Sequence, residues 1–152
     1  MKTEERLRQL GLELPEPARP VANYVPAVRA GKLVFVSGQL CLVKGEVTYR
    51  GKVGAELTVE QGYEAARLAT LNALAVLRAE LGDLDRVRRV VRVFGAVNSA
   101  PGFNRQPQVV NGASDLLVEV FGEAGRHART AVGVSELPMD SAVEVELTVE
   151  VD

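Results

Sequence analysis

The chain has few of the residues on which disulfides and metal sites depend. Its 152 residues include one cysteine and one histidine. The lone Cys41 excludes an internal disulfide, and there is no cysteine or histidine cluster to hold a metal ion. With His127 as the single histidine, a histidine pair for acid and base roles is also excluded. We therefore expect no metal site, and a reducing, cytoplasmic environment.

Net charge and aromatic side chains are scarce as well. The formal net charge is -2, aromatic residues make up 5% of the chain, and tryptophan is absent. Nucleic-acid binding normally uses a basic surface with stacking aromatics, so nucleic acid is not expected as a partner. No apolar run approaches membrane-spanning length, and the first ten residues are polar where a signal peptide is apolar. We expect neither secretion nor membrane insertion.

What is present is the composition of an ordinary globular protein. Hydrophobic residues make up 47% of the chain and charged residues 25%. A chain of this size folds as one domain with a core of its own, and no repeat or linker divides it. We therefore predict a single domain over residues 1–152, in which residues 1–20 form an N-terminal helix followed by an extended segment.

The order of helical and strand patterns predicts an α+β fold. A capping box at Thr58 to Gln61 starts a long helix that stops at Gly82, and a second helix runs from Val109 to Phe121. Ser37-Gly38-Gln39 is interpreted as a turn at a strand end. The predicted strands are Val25 to Val28 and Leu33 to Ser37 in a hairpin, a continuation around Lys44-Gly45, and then Arg89 to Val97, Arg129 to Val134 and Val143 to Val151. Both helices are expected to cover one face of a mixed sheet.

Candidate functional residues are few, and each has an ordinary structural alternative. Arg126 to Arg129 is the densest polar cluster; its two arginines suit a small anion, although a solvated loop is an equally good explanation. Glu144 lies on the polar face of the last strand, where solvated residues are common. Cys41 is expected in the core. Asn111 precedes a glycine within a helix, which indicates close packing or a ligand nearby.

Several motifs, taken together, resemble the Rid family, also known as RidA, YjgF or L-PSP proteins. The similarity covers about Val21 to Val151. Its motifs are Asn23-Tyr24-Val25, Ser37-Gly38-Gln39, the alanine-rich helix with Asn72, Val110-Asn111, Ala128 to Val132, Leu137-Pro138-Met139-Asp140 and Val143 to Glu146.

The resemblance implies a chorismate-mutase-like fold and a homotrimer with clefts between subunits. It also implies hydrolysis of reactive enamine and imine acids, such as 2-aminoacrylate, to 2-keto acids and ammonia without a cofactor. Arg129 would bind the substrate carboxylate and Glu144 would position the attacking water. The residues implied to line the cleft with them are Tyr24, Ser37, Gly38, Asn111 and Ala131.

The chain departs from the typical family pattern at two positions beside Arg129. Ala131 stands where a cysteine is usual, and His127 where proline or phenylalanine is usual. With the N-terminal extension and a longer loop at Pro101-Gly102, these departures indicate a longer, divergent subgroup. A non-catalytic module that binds a carboxylate metabolite is therefore an alternative. RNA cleavage is less well supported, because one histidine cannot supply an acid and base pair.

Overall fold

A five-stranded sheet with two helices on one face forms the centre of the fold. The computed structural model describes residues 2–17, 19–20 and 22–152. The helices are α1 (Lys2–Gln9), α2 (Val59–Leu81) and α3 (Gln106–Phe121). The strands are β1 (Ala27–Ala30), β2 (Leu33–Leu40), β3 (Leu42–Val43), β4 (Glu46–Val47), β5 (Val87–Asn98), β6 (Ala128–Val134) and β7 (Val143–Val151).

The sheet has the order β1-β2-β7-β5-β6 and is antiparallel except for its last pair. β5 and β6 run parallel because α3 lies between them in the chain and returns it to the same end of the sheet. β6 is therefore an edge strand beside α3. The predicted mixed sheet with two helices on one face is confirmed.

Alternation along β7 separates the two faces of the sheet. Its five hydrophobic residues are buried on the face that the helices cover, whereas Glu144, Glu146 and Thr148 point to the other face. On this second face Phe35 and Val132 remain 46% and 37% exposed. The described helices cover only one side of the sheet, so an apolar surface remains open on the other.

Local signals determine α2. The Thr58 side chain accepts a hydrogen bond from the Gln61 backbone N–H, and the Gln61 side chain in turn accepts one from the Thr58 N–H. The helix ends at Gly82, whose φ of 82° suits glycine. The predicted capping box and glycine stop are both confirmed. Among the residues described, neither this helix nor any other is long and apolar enough to cross a membrane.

Two expectations about the sheet are wrong. Lys44-Gly45 does form a turn, but among the described residues β3 and β4 pair with each other and form a separate two-stranded sheet, so they do not continue the main one. Ser37-Gly38-Gln39 is not a turn. These residues lie inside β2, where a bulge lets three steps along β2 match two along β7.

The start of α3 also differs from expectation. The helix begins at Gln106, three residues before the predicted Val109, and includes Pro107 in its first turn. Proline is tolerated there because the first helical N–H groups have no partner within the helix.

Candidate functional site

Arg129 lies at the start of the edge strand β6 and is held by α3. Its Nη1 donates to Asn111 Oδ1 at 2.8 Å and to Ser114 Oγ at 3.2 Å. Asn111 and Ser114 are three residues apart and so lie on the same helix face. These side chains border a cavity of about 300 Å³, which we call the Arg129 pocket; its lining is completed by Asp115, Val118, Arg126 and His127.

Close helix packing sets the position of this pocket. A Cβ built on Gly112 would lie 2.0 Å from the Tyr63 carbonyl oxygen on α2, so only glycine allows the two helices to approach this closely. Tyr63 also donates its hydroxyl to Asp115 at 2.7 Å, and this bond raises the pKa of Tyr63 to about 12. The expectation of close packing at Asn111-Gly112 is confirmed.

His127 takes part in the same polar network. Its Nδ1 lies 2.6 Å from the Gly125 carbonyl oxygen and its Nε2 lies 2.8 Å from Ser114 Oγ. Burial lowers the pKa of His127; the Gly125 hydrogen bond opposes this change, and repulsion from Arg129 adds to it. The ring is therefore largely neutral near pH 7.

Glu144 and Gly38 form a second group, which we call the Glu144 site. Both lie on the sheet face that the helices leave open, and a Cβ on Gly38 would fall 2.3 Å from Glu144 Oε1. Burial raises the pKa of Glu144, and the neighbouring charge of Glu146 adds to the rise. The bulge and the absence of a side chain at Gly38 thus make room for a half-buried carboxyl group that takes up protons more readily than usual.

Tyr24 lies near the Glu144 site. It is 52% exposed and lines a cavity of about 120 Å³ that also includes Gly38, Leu40 and Met139. Ser37 is beside it in the bulge, but its hydroxyl donates to the Val25 carbonyl oxygen at 2.7 Å. The structure therefore brings Tyr24 and Gly38 together, while the Ser37 hydroxyl holds the segment that leads into β1.

Arg129 and Glu144 are not brought together within one chain. Arg129 pairs with Val93 of β5 and points towards α3. Glu144 pairs with Ala96 of β5 and points to the opposite face of the sheet. Ala131, two residues after Arg129, packs against the core on the helix-covered face. The predicted site residues therefore form two groups on opposite sides of the sheet.

Cys41 lies outside both groups. It is fully buried, and its Sγ contacts the Tyr49 carbonyl oxygen at 3.4 Å and Ser141 Oγ at 3.2 Å. The expectation that it is a core residue is confirmed. Across the described ranges, no three histidine, cysteine or acidic side chains are grouped as metal ligands are.

Sequence reasoning missed Ser114, which contacts both Arg129 and His127. A signal was available, because Ser114 follows Asn111 by three residues and a helix brings such positions together. Met139 was noted only as part of a motif. It has a φ of 56°, next to Asp140 at 59°, and this unusual turn presents its side chain to the Tyr24 cavity.

Comparison with known proteins establishes the family. The family described as "YjgF/chorismate mutase-like, putative endoribonuclease" matches residues 4–151. Protein TCP17 of Trypanosoma cruzi is 50% identical over 149 residues, which cover 96% of this chain and 92% of that protein. A crystal structure from Shewanella oneidensis, titled as that of a "putative endoribonuclease", has a TM-score of 0.96 and 42% identity and covers 99% of this chain and 100% of its own.

A more distant relative carries the name of an enzyme. The 2-iminobutanoate/2-iminopropanoate deaminase of Dermatophagoides farinae is 28% identical over 145 residues, covering 93% of this chain and 95% of that protein. The chain belongs to the YjgF/chorismate mutase-like family, and the predicted resemblance to Rid proteins and their fold is confirmed.

Proposed function

We propose that the protein hydrolyses reactive enamine and imine acids of the 2-aminoacrylate type to 2-keto acids and ammonia. The observation that carries the proposal is the Glu144 site, where a half-buried carboxyl group with a raised pKa faces a glycine bulge. Such a group is suited to act as a general base near neutral pH. The name of the deaminase relative agrees with this chemistry.

Arg129 is proposed to bind the substrate carboxylate. Both of its hydrogen bonds use Nη1, and in the described part of the chain neither Nε nor Nη2 makes one. The edge formed by Nε and Nη2 therefore remains available for two parallel hydrogen bonds to a carboxylate. This grip places the neighbouring imine carbon at a defined position, which is catalysis by orientation.

The reaction itself requires only water and proton transfer. The enamine first takes up a proton from solvent at its terminal carbon, which gives the iminium acid. Glu144 then takes a proton from water as the water oxygen bonds to the iminium carbon and the C=N π electrons pass to nitrogen, giving a carbinolamine. The protonated Glu144 then gives a proton to the nitrogen, the C–N bond breaks, and ammonia leaves. Loss of the hydroxyl proton completes the keto group, so all atoms of one water molecule appear in the products. None of these steps requires a metal or an organic cofactor.

The active assembly is proposed to be a cytoplasmic homotrimer with sites between subunits. Arg129 and Glu144 face opposite sides of one sheet, so a complete site needs these residues from two copies. The open sheet face carries Val28, Phe35 and Val132, each at least 37% exposed, and subunit contact would cover such a surface.

The test is release of ammonia and keto acid from freshly generated 2-aminoacrylate and from bulkier imino acids. We expect wild type to exceed the uncatalysed rate, Arg129→Ala to fall to background, and the exposed control Arg88→Ala to match wild type. If folded wild-type protein does not exceed background with any substrate, the deaminase proposal is wrong. Saturable carboxylate binding without turnover would then favour the non-catalytic binding module.

A further inference from the structure

Ser114 and His127 form a directed chain of hydrogen bonds behind Arg129. The Gly125 carbonyl oxygen can only accept, so His127 Nδ1, at 2.6 Å, must carry the ring proton. In the neutral ring Nε2 is then an acceptor, and the Ser114 hydroxyl donates to it at 2.8 Å. A lone pair of Ser114 Oγ remains for Arg129 Nη1 at 3.2 Å.

Because His127 Nε2 accepts the proton of the Ser114 hydroxyl, the direction of that hydroxyl is fixed. If His127 Nε2 did not accept the hydroxyl proton, the hydroxyl could rotate and present that proton towards the guanidinium. Asn111 Oδ1, at 2.8 Å, supplies a second acceptor to the same nitrogen of Arg129. Two acceptors on one nitrogen set the plane of the guanidinium and turn its other edge away from α3.

The charges around the ring support the neutral state. Arg129 on β6 and Arg126, the residue before His127, are both cationic, while Asp115 on α3 is occupied by the Tyr63 hydroxyl. Arg126 is itself paired with Glu123 at 3.0 Å. A second positive charge on the ring would lie beside Arg129, and its half-buried position would add a cost of desolvation.

We infer that Ser114 and His127 are positioning residues that hold the Arg129 guanidinium in the orientation required for a substrate carboxylate. This inference rests on the proposed function, because it assumes that Arg129 binds the carboxylate. Neither residue needs to touch the reacting atoms. Their effect is on the geometry of binding, so it is expected in KM and much less in kcat.

Two matched substitutions at His127 separate this role from simple packing. His127→Gln keeps a side-chain acceptor that can reach Ser114, whereas His127→Leu keeps comparable bulk without an acceptor. We expect His127→Leu and Ser114→Ala to raise KM about five- to tenfold, as loss of one ordinary hydrogen bond implies. His127→Gln should stay within about twofold of wild type. The control is Ser135→Ala, which removes an exposed serine hydroxyl away from the Arg129 pocket and should leave KM unchanged.

The double variant tests whether the two residues act as one unit. If they form one chain, Ser114→Ala combined with His127→Leu should be no worse than the more damaging single change. Independent contributions would instead multiply the two increases in KM. Multiplied effects, or equal effects of His127→Gln and His127→Leu, would overturn the inference.

A binding measurement keeps this test separate from that of the proposed function. The affinity for 2-oxobutanoate, an unreactive carboxylate probe, can be measured by isothermal titration calorimetry, a readout that does not depend on His127, the only histidine of the chain. We expect Arg129→Ala to abolish binding and both Ser114→Ala and His127→Leu to weaken it about five- to tenfold. Wild-type affinity in the latter two variants, with binding lost in Arg129→Ala, would refute the positioning role. Wild type that binds without hydrolysing imines would refute only the proposed activity.

Discussion

Two inactive variants are expected to restore activity to each other when their subunits mix. Arg129→Ala removes the guanidinium and keeps Glu144, whereas Glu144→Gln does the reverse. Arg129 is three residues before Val132, which pairs with Ala96, and Ala96 in turn pairs with Glu144. The two backbone positions are therefore separated by roughly 10 Å along the strands and roughly 10 Å across two strand spacings. The two side chains also point to opposite faces, so no change of rotamer in one chain joins them.

The size of the recovery follows from counting subunits. In an equal mixture, a cleft is complete when the copy that contributes Arg129 is the Glu144→Gln variant and its neighbour is the Arg129→Ala variant. Each condition holds half of the time, so an unselected population of trimers should recover roughly a quarter of wild-type activity. Mixed trimers isolated through both tags should recover roughly a third, because each of them has one complete cleft out of three. Each variant alone should stay at background, because every one of its clefts lacks one of the two groups.

The assay uses two differently tagged variants, coexpressed and purified through both tags, with release of ammonia from 2-aminoacrylate as the readout. The matched control pairs Arg129→Ala with the double variant Arg129→Ala, Glu144→Gln, which cannot complete any cleft. Light scattering establishes the number of subunits. A monomeric wild type with full activity, or mixed trimers with no recovery, would refute a site shared between copies.

Three further predictions concern pH, packing and thiol reactivity. Because burial raises the pKa of Glu144, kcat/KM should fall on acidification at a pH above the ordinary carboxyl range. The raised pKa also means that the contribution of Glu144 to stability is present below the ordinary carboxyl pKa and is lost as the pH rises. Glu144→Gln should therefore not lower Tm at pH 7. A wild-type pH–rate profile in which kcat/KM does not fall on acidification would refute the first point. Thermal unfolding of Glu144→Gln at pH 7 checks the second. Gly112→Ala should destabilise the fold by about 3 kcal/mol in urea titrations, because its Cβ meets the Tyr63 carbonyl oxygen. Gly11→Ala, with open space around it, should cost about 1 kcal/mol. Equal losses of stability in the two variants would contradict the packing argument. Cys41 should react with a thiol reagent only after unfolding, because its side chain is buried. Rapid labelling of the native protein would show that the thiol is accessible to solvent.

Local signals made much of the fold predictable. The capping box at Thr58, the glycine stop at Gly82 and the alternation of β7 each involve residues close together in the chain. These signals placed the long helix and the last strand at their observed positions. The boundary of α3 was less accurate, because Pro107 suits either a loop or the first turn of a helix.

Features that depend on distant partners were not predictable. Ser37-Gly38 resembles a turn in sequence, and only pairing with β7 makes it a bulge within a strand. Likewise, the hairpin at Lys44-Gly45 follows β2 directly in the sequence but forms a two-stranded sheet of its own. Which strands pair is a property of the assembled sheet, which a local pattern does not contain.

The candidate site was predicted in its parts and not in its arrangement. Arg129 is hydrogen-bonded to Asn111, and Gly38 lies against Glu144. Each of these two pairs therefore has its members side by side, as residues of one cleft would be. That these pairs occupy opposite faces of the sheet follows from strand register, which only the folded structure provides. The roles of these residues, the trimer and the extent of the single domain stay predictions.

The bulge in β2 also affects how changes in chain length would act. Removing one residue from a strand normally turns over every side chain beyond the deletion. Between Val36 and Gln39, however, β2 has one residue more than β7 requires. Deletion of Gly38 would leave a regular ladder with the same buried face, but it would close the space into which Glu144 extends. A related sequence with a one-residue gap here is therefore expected to retain the fold while losing the place for this carboxylate.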